Sequence, residues 1–273
     1  MYELFKTVVI LSLFGFGITA ALLCVKPVTA KKFPAQWQYY VWIAALIAML
    51  VPVYKFIPKA EVQKIPIAVQ NPAQTEQQAA QGEIETVITD KAPIEYRAVT
   101  VIPNHKIRLL DLIAYIWLAG VCVFLLVIAS SYIAFGARKR KNAVRLSENS
   151  ILEEVKSELH INRRIDIKMA PNVNSPMLAG LIFPVVYIPM REISDESMKM
   201  ILLHELTHYK RRDLFVKWLS IFVNAVHWFN PLAYLLCANV SEACEVSCDM
   251  SVTKNMSEQE QKIYMKTILE LVE

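Results

Sequence analysis

The chain has 273 residues, 55% of them hydrophobic, and a formal net charge of +4. That length allows one or two domains, and the apolar share with a mean hydropathy of +0.34 is more than a soluble globule carries, so a bilayer is the expected solvent. The five cysteines fall mostly inside apolar runs and form no CxxC pair, which argues against both a disulfide framework and a closed thiolate zinc site.

Residues 7–25, 33–54 and 112–137 are uncharged runs, each long enough to cross a hydrocarbon core of about 30 Å, and predict three N-terminal transmembrane helices. The opening Met1-Tyr2-Glu3 lacks the basic start of a cleaved signal peptide, and Leu23 before Cys24 does not suit a lipoprotein site. Lys26, Lys31 and Lys32 lie between the first two runs, and Arg138-Lys139-Arg140-Lys141 with Arg145 follow the third. Both clusters belong inside, which puts the N-terminus outside and everything after residue 137 on the cytoplasmic side of a multi-pass cell-membrane protein. Four basic residues abutting a span read as a topology and headgroup anchor, so no direct nucleic-acid binding is expected. Residues 59–106 are rich in Gln, Ala, Pro and Glu, lack sustained alternation, and look too sparse for a ligand-binding domain. The expected division is therefore two transmembrane helices with a short cytoplasmic loop (1–58), a partly disordered extracellular loop (59–108), a third transmembrane helix (109–137) and a cytoplasmic-side domain (138–273).

In that last part, apolar spacing predicts a helix over 150–161, alternation a strand over 165–169, and two short strands over 177–181 and 185–188 around Phe183-Pro184. A small sheet thus precedes a helix over 198–213, introduced by the capping run Ser194-Asp195-Glu196 and closed by Lys210-Arg211-Arg212, each charge matching the helix dipole. Asp213 follows, either holding a basic side chain or capping.

Inside this helix stands His204-Glu205-Leu206-Thr207-His208, an HExxH motif. Positions four apart share a helix face, so both imidazoles can meet one ion with Glu205 beside them. Catalytic zinc takes three protein ligands and keeps a position open, and a neighbouring carboxylate can accept a water proton there; peptide hydrolysis is the chemistry implied. Downstream, Glu245 and Asp249 are also four apart, in a stretch (239–249) that reads as helical. Glu245 can supply the third ligand and Asp249 can receive the free N–H of a ligating imidazole. Cys244 and Cys248 share that spacing, but thiolates suit catalysis less well than the histidine pair.

A fourth uncharged run, 218–241, separates the two groups. A straight crossing would leave His208 and Glu245 on opposite faces, about 30 Å apart, whereas zinc requires ligand atoms about 2 Å from one ion. Asn230-Pro231 disfavours continued helix near its middle, predicting a re-entrant or membrane-flanking helical hairpin, with His227 in a packing role. Residues 257–273 read as an amphipathic helix. Ser251-Val252-Thr253-Lys254 matches SxxK but lacks its SDN and KTG partners and reads as coincidence.

The order Ser175-Pro176, Gly180, Pro184-Val185, Pro189, HELTHYKRRD, Trp228-Phe229-Asn230-Pro231-Leu232 and Glu245-Val246-Ser247-Cys248-Asp249 resembles the M56 peptidase domain, the family of the BlaR1 and MecR1 antibiotic-sensing membrane proteases. The resemblance implies an α+β membrane protein whose mainly helical zincin (gluzincin-like) domain carries one Zn²⁺ on His204, His208 and Glu245, with Glu205 as base and Asp249 behind the ligands. It implies a protein substrate held as an extended strand, with residues Ser175, Pro176, Met177, Leu178, Ala179 and Gly180 as the candidate edge. The expected function is cleavage of a regulatory protein such as a transcriptional repressor, or self-cleavage, in transmembrane signalling, with a homodimer or separate sensor as partner. Those relatives continue into a further span and a penicillin-binding domain, so the peptidase part without that sensor is expected. The alternatives are a processing or quality-control protease resembling HtpX or Ste24, which share the motif order but not Trp-Phe-Asn-Pro, and a scaffold with structural zinc, which would have no use for Glu205.

Overall fold

A computed structural model describes residues 1–52, 109–140, 142–146 and 150–272. The expected outer loop at 59–108 and the end of the second apolar run lie outside the described residues.

The first apolar run forms α1, Tyr2–Lys32, and the third forms α3, Leu109–Arg140. At 1.5 Å rise per residue each exceeds the roughly 30 Å hydrocarbon core. Both leave large apolar side chains uncovered by protein, Leu13 and Leu126 at 69% exposure among them, as suits an apolar solvent. The second run behaves differently. It forms α2, Ala35–Ala48, only 14 residues and so about 21 Å long. Its Tyr39, Trp42, Leu46 and Met49 stripe is buried against protein. The described residues therefore hold two helices of spanning length and apolarity, where three were expected. Hydropathy cannot tell a protein neighbour from a lipid one, and here the neighbour is another helix.

Beyond α3, strands β1 (Val144–Leu146), β2 (Asp166–Ala170), β3 (Met177–Ala179) and β4 (Val185–Pro189) make a sheet of order β1-β2-β4-β3. β2 and β4 are parallel, and β3 pairs antiparallel with β4 through Leu178 opposite Val186. β3 is thus an edge strand. β1 was not anticipated, since three residues are too few to show alternation. Ile167, Val186 and Ile188 face helix α4 (Ser150–Glu158), α5 (Asp195–Arg211) and α8 (Glu258–Val272), whose Val155, Leu202, Leu206 and Tyr264 complete one core.

Gly180 ends β3 with φ +88, and a Cβ there would collide with the Phe183 carbonyl oxygen. Gly180→Ala is expected to destabilise the sheet edge by more than about 1 kcal/mol. A thermal melt unchanged from wild type would contradict this.

Ser194 caps α5 by accepting the Ser197 N–H at 3.2 Å. The helix ends two residues before the expected boundary: Arg212 adopts a left-handed conformation, φ 61, and Asp213 begins α6, Asp213–Val226. α7, Pro231–Thr253, follows after a turn in which Asn230 Oδ1 accepts the Leu232 N–H at 3.0 Å with Pro231 in the first helical turn. The chain therefore reverses where the Asn-Pro pair predicted. Asn230 Nδ2 donates to Ser12 Oγ on α1 at 2.8 Å, and His227 Nε2 lies 3.0 Å from the Met49 carbonyl oxygen, a packing role. Trp117 Nε1 on α3 donates to the Val226 carbonyl at 2.9 Å. Trp228 reaches α3 because Gly120 has no Cβ to block it. The α6–α7 hairpin runs beside both long helices and brings its open end back to α5.

Candidate metal centre

α5 presents His204 and His208 one turn apart, and their Nε2 atoms lie 3.1 Å from each other. α7 returns Glu245 opposite them: its Oε2 is 3.1 Å from His208 Nε2 and 3.6 Å from His204 Nε2. A tetrahedral cation about 2.0–2.1 Å from each donor requires donor separations of roughly 3.3 Å, so the donor set fits one. The outer ring nitrogens are engaged as such ligands require. His208 Nδ1 donates to Asp213 Oδ2 at 2.8 Å. Tyr264 donates its hydroxyl hydrogen to Asp249 Oδ1 at 2.6 Å and receives His204 Nδ1 at 2.8 Å, while Asp249 itself lies 3.2 Å from that nitrogen. Both Nε2 atoms are thereby left facing Glu245.

Two buried thiols lie close by. His204, His208 and Cys248 form one grouping with donor atoms within 4.8 Å, and His208, Asp213 and Cys244 another. Cys244 approaches His208 at 4.0 Å on the Nδ1 side, which Asp213 already occupies, and Cys248 Sγ donates to the His204 carbonyl at 3.7 Å. The thiols close the floor of the site, whereas Glu245 stands on its open side.

Charge follows from burial and partners. Burial disfavours the His204 imidazolium, but hydrogen bonds to Asp249 and Glu245 outweigh it and raise its pKa from 6.5 to about 10. His208 is likewise disfavoured by burial yet held well above its ordinary range, chiefly by Asp213. Burial would raise Glu245, but the two imidazoles hold it far below the usual carboxylate range. Glu205, 9% exposed, moves the other way: burial raises its pKa against the opposing imidazoles and the Leu178 N–H. For the metal-free chain the sign is set by His204. A pKa raised on folding contributes stability fully present below 6.5 and lost as pH rises through about 10. Chelator-treated protein is expected to resist denaturant better at pH 6 than above pH 10, and a flat profile would count against the His204–Asp249–Glu245 network.

The donors open onto a cleft of about 370 Å³, walled on one side by Ser175, Pro176, Met177 and Leu178 at β3 and on the other by Leu214 and Ile268. Of the expected edge, Ala179 and Gly180 do not line it. The sequence reading left undecided what Asp213 does: it is 1% exposed and accepts from His208, from Arg211 Nε at 3.2 Å and from the Tyr39 hydroxyl at 2.8 Å. It missed Tyr264, and it missed Lys217, whose Nζ donates to Glu245 Oε1 at 3.1 Å. Only the nearness of Asp213 to His208 in the chain hinted at any of these.

Residues 6–273 match the family model described as BlaR1 peptidase M56. The chain belongs to the M56 peptidase family. This M56 chain is 30% identical to the regulatory protein BlaR1 of Bacillus licheniformis over 155 residues, 55% of the chain and 25% of that protein. It is 28% identical to the methicillin resistance mecR1 protein of Staphylococcus aureus over 163 residues, covering 58% and 28%. Against the regulatory protein BlaR1 of Staphylococcus aureus the match is 25% over 259 residues, covering 92% and 43%. The M56 chain thus spans less than half the length of these relatives. The family is one of metallopeptidases.

Proposed function

We propose that the chain is a membrane-embedded, zinc-dependent endopeptidase that cleaves a regulatory protein, or itself, in transmembrane signalling. The observation carrying this reading is the meeting of His204 Nε2, His208 Nε2 and Glu245 Oε2 in a cleft that Glu205 also lines. One Zn²⁺ held by those three groups would supply an electrophile that polarises both the attacking water and the scissile carbonyl.

The chain's own residues do the rest. Glu205 accepts the proton of the attacking water and delivers it to the leaving amine, and burial in the cleft makes it a stronger base than an exposed carboxylate. Asp213 and Asp249 orient the two imidazoles, and Lys217 holds the second oxygen of Glu245. The free edge at Ser175–Leu178 is placed to pair with an extended substrate backbone, which selects for shape more than for sequence.

The cytoplasmic placement rests on level. Lys26 near the basic end of α1 bonds Asn239 and Glu242 on α7, both 2.8 Å away, and Glu242 is one turn before Glu245. Lys139 at the basic end of α3 reaches Met177 in the cleft wall at 2.7 Å, so both basic ends lie near the site, and the positive-inside rule assigns them to the cytoplasm, with the N-terminus outside and the α6–α7 hairpin re-entering beside the spans. The names of the relatives point to a regulatory substrate, of which a transcriptional repressor is one class. Comparing new protein N-termini in cells carrying wild type and Glu205→Gln tests the whole reading: termini made by wild type alone support it, and their absence would refute it.

A further inference from the structure

The hydroxyl of Tyr39 is hard to account for by packing. α2 buries this ring, 3% exposed, beside Trp42 and Leu46, in a setting where phenylalanine would fill the same space. The hydroxyl donates to Asp213 Oδ1 at 2.8 Å, while Oδ2 of the same carboxylate takes His208 Nδ1 at 2.8 Å and Arg211 Nε at 3.2 Å. Arg211 also lies over the Tyr39 ring, 5.0 Å from its centre, and reaches Ser251 on α7, which Gln36 of α2 bonds at 3.2 Å. α2 is thus tied to a donor atom of the metal centre through one carboxylate.

Resting on the metallopeptidase reading above, we propose that Tyr39 is a positioning residue for His208, acting through Asp213, so that the placement of α2 sets how tightly the site holds its metal. A buried carboxylate holds its orientation only while both oxygens are satisfied. With Tyr39 in place, Oδ1 is pinned and Oδ2 stays under the His208 ring, keeping Nε2 aimed at Glu245. Without that donor the carboxylate turns and the imidazole loses its brace. Hydrogen bonds weaken steeply beyond about 3.2 Å, so a shift of α2 by a fraction of an ångström along α7 would be felt at His208. α2 packs against both α1 and α7, so a movement of α1 that carries α2 with it shifts this contact. The device makes a change in the apolar helices a change in metal affinity.

The test uses the full chain in detergent, as wild type, Tyr39→Phe and Leu46→Val, the last a change in the same buried face with no polar contact to the site. Zinc affinity is measured by chelator competition, and the cobalt(II) absorption spectrum reports ligand geometry. Groups behind metal ligands are worth about 10–100-fold in affinity, and at one further remove the lower end, about 10-fold, is expected for Tyr39→Phe, with an altered cobalt band. Leu46→Val should lower the melting temperature and bind zinc as wild type does. Wild-type affinity and spectrum in Tyr39→Phe would overturn the proposal, as would equal losses in both variants, which would mean packing alone. A wild-type chain that binds no zinc would instead overturn the metallopeptidase reading, and this inference with it.

Discussion

Glu205→Gln is expected to retain zinc, helix content and melting temperature while losing proteolysis by a factor of about 10²–10⁴, or about 2.7–5.5 kcal/mol of barrier. Glutamine has the shape of glutamate and can keep a contact with the Leu178 N–H, so the cleft beside β3 survives. Its amide nitrogen cannot accept a proton at neutral pH, and among the described residues no other carboxylate lining the cleft is free to take over. Glu245 is committed between the histidines and Lys217, and Asp249 is held by Tyr264 and His204. The loss should fall on kcat with little change in KM, because Glu205 acts on the reacting atoms and not on the bound backbone. Cleavage at the wild-type rate by a zinc-loaded Glu205→Gln protein would remove Glu205 from the mechanism.

Asp213→Asn should weaken zinc binding by about 10–100-fold and destabilise the metal-free chain as well. The carboxylate is 1% exposed and serves donors from Tyr39, His208 and Arg211. An amide keeps one acceptor oxygen but presents an NH₂ where the other stood: facing His208 it sets donor against donor, and facing Tyr39 it makes the hydroxyl accept in place of donating, while in either orientation the negative charge that His208 and Arg211 lean on is gone. Breaking one partner of a buried charged pair costs about 3–5 kcal/mol, and here Arg211 is left without its anion. Chelator competition and denaturant melts on one preparation separate the two effects. An Asp213→Asn protein with wild-type zinc affinity would show that the His208 ring needs no brace.

Local periodicity made the HExxH face, the Glu245–Asp249 face, the sheet-then-helix order and the Asn230-Pro231 reversal readable in the sequence, because each depends only on residues a few positions apart. The family motifs lay in the same stretches. Three features were beyond it for one reason: they depend on which surfaces meet. α2 has the hydropathy of a span, yet its apolar stripe is covered by α7, so the number of membrane-length helices among the described residues could be counted only after packing. Arg212 in the left-handed conformation divides what looked like one helix and turns Asp213 from a helix end into the carboxylate beneath His208. Tyr39, Lys217 and Tyr264 lie tens to hundreds of positions from the groups they touch or sit on other helices, and nothing in their neighbours marks them. Spacing within a helix decides which side chains share a face; only the docking of α2, α6, α7 and α8 around α5 decided which atoms those faces would meet.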